Sequence, residues 1–244
     1  MPSEPEKYTS MRAILGYVLV ARNGASGVLE DVLFSDRNGA VRHVVFDRSR
    51  WLPKHYLLLD PDDLGPVDPI ERNFPVLLTD EEFEARPQMQ LDPPVSKQNE
   101  SHSGIEEGKG FWSLLVARKH RFENLDDKTE IYDPHLRSAR EIIGYDLRAR
   151  DGEAGTLTDV LFDQTNWAVR YLVVAAGTIL DRRQVLLRVD DIDEVSWEAR
   201  SVHTPLLMKR IANLPVFDRA SQTSSPRPQG VHDQFAVILG GTKD

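Results

Sequence analysis

Gly27-Val28-Leu29-Glu30-Asp31-Val32-Leu33-Phe34 and Gly155-Thr156-Leu157-Thr158-Asp159-Val160-Leu161-Phe162 are two versions of one segment. They lie 128 residues apart, and the same shift aligns the chain on both sides of them. Ser10 falls on Ser138, Gly16-Tyr17 on Gly144-Tyr145, Ala40-Val41-Arg42 on Ala168-Val169-Arg170, Asp62-Asp63 on Asp190-Asp191 and Pro87 on Pro215. From Ser10 to Leu64 about 25 of 55 positions are identical, with no gap. The chain is therefore a tandem duplication, and its internal repeat is the first constraint on the fold. Two copies are too few for a solenoid, so each copy is expected to bury its own core.

Within a copy the pattern reads as β. Ile14 to Arg22 is strand-like. Asn23-Gly24, or Asp151-Gly152 in the second copy, is a hairpin signal because both turn residues must tolerate positive φ. The quoted segment follows as a second strand and ends at the polar turn 35–39. A third strand runs from Ala40 to Asp47, and a fourth is Tyr56 to Leu59, matched by Val185 to Leu187. Short strands are expected near Val76–Leu78 and Val195–His203. A short helix closes each copy: Asp80 to Ala85 before Pro87, and Pro205 to Asn213 with Pro205 near its first position. Five or six short strands in under 80 residues predict a small closed barrel, since closure removes exposed edges. The expected class is mainly β: two small barrels, each ending in a short helix, joined by a long polar linker. The ranges are a tail 1–9, copy one 10–87, linker 88–132, copy two 133–217 and a C-terminal tail 218–244.

The bulk properties narrow the function. The chain has 244 residues and a net charge of −9. This acidity disfavours sequence-blind nucleic-acid binding, which needs Lys and Arg against phosphates. There is no cysteine, so thiol catalysis, thiolate metal sites and disulfides are excluded. The N-terminus lacks the apolar stretch of a signal peptide. The longest apolar run, Tyr171 to Leu180, is half of the roughly 20 residues a membrane helix needs. A cytoplasmic location is the expectation.

Both copies resemble the PRC-barrel domain, named for the cytoplasmic domain of the photosynthetic reaction-centre H subunit and related to the C-terminal half of a ribosome maturation factor. The resemblance rests on Ile142-Ile143-Gly144-Tyr145, Asp151-Gly152-Glu153, Gly155, Asp159 to Asp163, and Trp167 to Val174. The prelude Asp133 to Ser138 and the exit Pro94 to Gln98 are similar to those of bacterial tandem-barrel proteins of the reaction-centre H-like group. It covers about residues 10–87 and 133–215. It implies a fold, while function has to be argued from sites because the domain is reused in unrelated settings. The copies differ from each other at Gly39 against Trp167, and at Asp47 against Ala175.

No catalytic, cofactor or metal constellation emerges from the residues. The seven histidines form no HxH or HxxxH pair. His43 and His55 flank a turn and could meet, but read better as strand and loop histidines. The glycines at 24, 27, 152 and 155 have hairpin spacing rather than that of a phosphate loop. Asp62-Asp63 and Asp190-Asp191 read as solvated turns. Asp31 and Asp159 are charges set against Val-Leu-Phe, with Arg42 and Arg170 on the next strand. A cross-strand ion pair that fixes register is the expectation, and a polar anchor at a partner surface is the functional alternative. Trp51, in the cationic turn 48–54, either covers a barrel mouth or stacks on a partner. Trp167 is a further candidate on the second copy, at a different position in the repeat. The apolar stretches Phe111–Val116 and Phe235–Leu239 either fold back onto a barrel or bind elsewhere.

The expected function is a non-enzymatic cytoplasmic adaptor that binds another protein. Its candidate surface is Asp31, Arg42, Trp51, Asp159, Trp167 and Arg170. One chain would mimic a homodimer of single barrels, and further homo-oligomers through barrel surfaces are compatible with this. The alternatives are a peripheral protein of membrane electron-transport complexes, a ribosome- or RNA-maturation-associated factor without direct RNA contact, and a small-molecule binder using a pocket between the barrels.

Overall fold

A computed structural model describes residues 8–21, 26–48, 56–79, 81–82, 85–86, 94–97, 133–177 and 182–218. The protein is mainly β, with two sheets that follow the repeat. The first half contributes β2 (Val18–Val20), β3 (Ser26–Ser35), β4 (Val41–Asp47), β5 (Tyr56–Leu59) and β6 (Asn73–Pro75), in the order β5-β4-β3-β2-β6. The second half contributes β8 (Asp146–Ala149), β9 (Gly152–Asp163), β10 (Ala168–Ala176), β11 (Arg183–Arg188), β12 (Glu194–Ser196) and β13 (Ser201–His203), in the order β11-β10-β9-β8-β13-β12. Pairing is antiparallel except where β6 and β13 run parallel to β2 and β8. Neither hydrogen-bonded order returns to its first strand. The edge of β11 is instead covered by residues 215–217, where Phe217 N–H donates to the Gln184 carbonyl at 2.8 Å. Among the described residues no helix is long and apolar enough to cross a membrane.

The third and fourth strands fall where the β-branched and leucine runs placed them. Two other elements differ. Ile14 begins no strand: Met11–Ile14 is a single helical turn, α1, and its repeat is α2 (Ala139–Ile142). The cause is a serine cap. Ser10 Oγ accepts from Ala13 N–H at 3.1 Å, and Ser138 Oγ from Glu141 N–H at 2.9 Å. The closing helix of the second half, α3, spans Met208–Ile211 and starts later than Pro205 suggested. The turn Asn23-Gly24, half of the expected helix Asp80–Ala85, Trp51, His55 and the stretches Phe111–Val116 and Phe235–Leu239 lie outside the described residues.

The main departure concerns the N-terminal segment of each copy, which joins the sheet of the other half. β1 (Thr9–Ser10) pairs with β9, so that Ser10 faces Leu161. β7 (Leu136–Ser138) pairs with β3, so that Ser138 faces Leu33. The two halves consequently do not bury separate cores. One continuous cluster runs from Met11, Phe34 and Phe74 to Ile142, Phe162 and Val202. Two smaller clusters sit on the outer sheet faces and are related by the repeat. Leu136 closes over Leu33, Val45 and Leu58, while Tyr8 packs against Leu161, Val173, Leu186 and Phe217.

Candidate functional site: the reciprocal clasp and the valine face

Each crossing segment ends on a buried aspartate. Ser10 Oγ donates to Asp159 Oδ2 at 2.6 Å, and Arg12 N–H to Asp159 Oδ1 at 3.1 Å. In the mirror arrangement Ser138 Oγ donates to Asp31 Oδ2, and Arg140 N–H to Asp31 Oδ1 at 2.9 Å. Each carboxylate also accepts the N–H of the next residue in its own strand, Val160 or Val32. Residue 10 meets 159 while 138 meets 31, which is the reciprocity of an isologous twofold interface. The serine has two roles, as donor to the other half's carboxylate and cap for its own helical turn. The aspartates are buried, at 8% exposure for Asp31 and 0% for Asp159. Burial pushes Asp31 up to about 6, against the opposing effect of its hydrogen bonds and of Arg140.

The twofold passes near the β3–β4 and β9–β10 turns, where Ala40 bridges Ala168. Val41 N–H donates to the Trp167 carbonyl at 2.8 Å, and Val169 N–H to the Gly39 carbonyl at 2.7 Å. Gly39 has φ +71°, and a Cβ there would lie 2.3 Å from the Val169 carbonyl oxygen. Its repeat partner Trp167 also has positive φ, 46°, but lays its ring over Phe162 at 5.4 Å.

These contacts revise the aspartate–arginine expectation. Asp31 faces Val45 and Asp159 faces Val173 across their ladders, while Arg42 falls in a register shift. The hairpin register is offset from that assumed by two to three residues. Arg42 lies 3.8 Å from Asp133 with its side chain 60% exposed, and Arg170 is exposed. Asp31 and Asp159 hold the halves together and, being buried, are not a surface for an outside partner. Trp167 is half-buried at the same junction, and Trp51 lies outside the described residues. The Asp62-Asp63 turn is a capped 3-10 turn, Pro61–Asp63, in which Asp63 pairs with Arg86 at 2.5 Å. Among the described residues no group of three or more His, Asp or Glu could hold a metal.

Three features escaped the sequence reading. Ser138-Ala139-Arg140-Glu141 has the S-x-x-E spacing of a helix start, which would have marked the clasp serine. Arg72 and Arg200, also related by the repeat, have φ +53° and +48° and lie over the rings of Tyr17 and Tyr145 at 5.2 and 5.5 Å. Their carbonyls accept from Val18 and Asp146, so a strained residue anchors the start of each second strand. The third feature is a difference between the halves. Val18 and Val28 face each other across β2 and β3, with Val20 two residues along, and all three are exposed by 39–43%. Their repeat positions are Asp146, Thr156 and Arg148, and Arg148 stands near Glu153. The same scaffold thus carries an apolar strip in one half and a polar one in the other.

Neither a scan against protein-family models nor a search of curated proteins finds a match for this chain.

Proposed function

We propose that the chain is a non-enzymatic cytoplasmic adaptor built from duplicated PRC-type barrels, and that it docks a protein partner on the valine face of its first half. The observation that carries this reading is the contrast at three matched positions. Asp146, Arg148 and Thr156 demonstrate that the fold has no need of apolar groups there. Val18, Val20 and Val28 nevertheless keep about two-fifths of their surface in water. Exposed valines on a sheet face cost solubility and add to folding only a modest strand preference and cross-strand pair, but they supply binding energy when a partner covers them. The clasp supports the reading from another side: duplication has placed a homodimer-like interface within one chain, leaving the outer faces free to diverge.

The test exchanges the halves' chemistry. Val18→Asp, Val20→Arg and Val28→Thr write the second half's residues onto the first. The triple variant is expected to melt within a few degrees of the wild type and to lose a protein that the wild type enriches from source-cell lysate. With the purified partner its affinity should fall by tenfold or more, about 1.4 kcal/mol. Retention of the same proteins by both forms, with unchanged affinity, would sink the proposal.

A further inference from the structure

Residues 94–97 are a short piece of the chain that rests on the second half. Pro94, Val95 and Ser96 are buried in a groove walled by Leu136, Arg137, Glu141, Tyr145, Val195 and Trp197. Lys97 N–H donates to the Pro94 carbonyl at 2.8 Å, which closes the piece into one turn. Val95 is its apolar anchor, 9% exposed. Ser96 Oγ donates to Glu141 Oε2, and the other carboxylate oxygen accepts from Tyr145 O–H at 2.9 Å. Burial and the Glu141 carboxylate hold the Tyr145 phenol above its usual range, so it remains a donor.

The scaffold does not demand this chemistry. Thr9, Ala13 and Pro69 stand in the first half where Arg137, Glu141 and Trp197 stand in the second. The turn α1 forms on its serine cap with Ala13 alone, so α2 does not need Glu141 to form. A glutamate at this spacing ordinarily returns to the N–H of the cap residue. In α2 both carboxylate oxygens accept hydroxyls instead, one from Tyr145 and one from Ser96. The groove thus presents a fixed acceptor to a hydroxyl that arrives from outside the second half. Its fit to residues 94–97 is incomplete: Arg137, on the groove wall, buries Nη1 with no hydrogen-bond partner among the described residues.

The hold on the turn is slight. One buried valine and one hydroxyl–carboxylate bond are set against the ordering of four residues, and these contributions are of similar size. Such a turn exchanges with a competitor that offers the same groups. We infer that the groove is a second protein-docking site, separate from the valine face: residues 94–97 fill it in cis, and a partner segment presenting proline, a valine-sized side chain and a hydroxyl in succession displaces them. The apolar residue seats against Leu136, Val195 and Trp197, and the hydroxyl is read by Glu141. A buried acceptor left unpaired discriminates against a segment that lacks the hydroxyl.

The test uses the full-length chain and a fluorescein-labelled, end-blocked peptide Pro-Val-Ser-Lys, read by anisotropy. Val95→Asp weakens the occupant in cis, and Val95→Ala is the milder variant should the first shift the melting transition. Occupation in cis lowers the apparent affinity by the fraction of grooves left free, so the variant should bind the peptide about tenfold more tightly than the wild type. Adding Trp197→Ala to that variant, or exchanging the peptide's serine for alanine, should cost about tenfold. Equal affinity of wild type and variant would place the peptide elsewhere on the protein. Absence of binding to a variant with wild-type melting, or loss of the folded state in both variants, would make residues 94–97 an integral part of the fold. A wild type still unbound at about a hundred times the concentration that saturates the variant would make them a permanent strap. Wild-type dimers that Val95→Asp dissociates would give the groove to the same turn of a second copy. Each of these four results overturns the inference. The triple variant of the valine face should leave the peptide's affinity unchanged, which separates the failure of one docking site from that of the other.

Discussion

The two halves close the same clasp with different side chains around it. At the turn of the first half, His135 Nδ1 lies 2.8 Å from Asp36, and Arg137 Nε forms an ion pair with it at 2.6 Å, both from the crossing segment of the second. At the matching turn Gln164 instead donates to Thr9 Oγ1. The Arg137–Asp36 ion pair of one clasp is thus a neutral amide–hydroxyl contact in the other, while serine, aspartate and cap are the same in both. Side chains at the rim can change because water still solvates part of them. The carboxylate at the centre is buried in both halves, and a buried carboxylate without donors costs several kcal/mol. The comparison separates what the interface requires from what it tolerates.

The largest effect should come from the twofold itself. Gly39→Ala forces a Cβ to within 2.3 Å of a backbone oxygen at a positive φ, and neither can relax without parting the turns. A loss of roughly 2–4 kcal/mol is expected in denaturant unfolding. Trp167→Ala, at the matching position, removes a ring from a half-buried stack and should cost less. If the ranking is reversed, the turn contact is not what joins the halves.

Asp31 gives the clasp a pH dependence with a defined sign. Below the ordinary value of 3.8, both folded and unfolded states carry the proton. Between that value and about 6 the folded state alone retains it, so this contribution to stability is full at acid pH and is lost as pH rises through about 6. A shift of about two units corresponds to at most about 3 kcal/mol. Asp31→Asn keeps an acceptor for Arg140 N–H without the titration. The wild type minus Asp31→Asn difference in unfolding free energy should therefore decline from pH 4 to pH 7. A flat difference would show that Asp31 titrates normally in the folded protein.

The serines come next. Ser138→Ala leaves one Asp31 oxygen without its donor and removes the cap of α2, for an expected loss of about 2 kcal/mol. Ser10→Ala does the same to Asp159 and α1. Because the first clasp retains the Arg137–Asp36 ion pair, Ser138→Ala should open its crossing segment less in hydrogen exchange than Ser10→Ala opens the other. Equal protection in both segments would mean that the rim contributes nothing.

How the sequence bears on this is specific to each element. The shift of 128 residues, the runs Val44-Val45-Phe46 and Leu57-Leu58-Leu59, and the turn at 35–39 are local patterns, and the structure repeats them in place. The clasp is a contact over more than a hundred residues, Ser138 to Asp31, and no periodicity encodes such a distance. An aspartate beside Val-Leu-Phe was visible as an anomaly, but a hairpin closing around residues 35–39 put Arg42 across from it. The hairpin closes with Ser35 N–H on the Ala40 carbonyl, and a one-residue irregularity between Leu33 and Phe34 moves the ladder further, so Asp31 faces Val45 instead of Arg42. The single-turn helix at Met11–Ile14 is too short for a 3.6-residue period, so the run from Ile14 to Arg22 reads as one strand.

Arg42 supplies the smallest expected effect and tests that revision most directly. Had it paired with Asp31, its removal would strand a buried carboxylate and cost several kcal/mol. In the structure it reaches Asp133 at 3.8 Å from a side chain 60% exposed, a geometry worth about 0–0.5 kcal/mol. Arg42→Ala should therefore leave unfolding within about 0.5 kcal/mol of the wild type, and Arg170→Ala, exposed at the matching position, should do likewise. A double-mutant cycle between Arg42 and Asp31 should return no coupling, whereas one between Ser138 and Asp31 should return a substantial one. The contrast between the two cycles assigns the aspartate to the junction of the halves rather than to its own hairpin, and coupling of the opposite rank would return it to the hairpin.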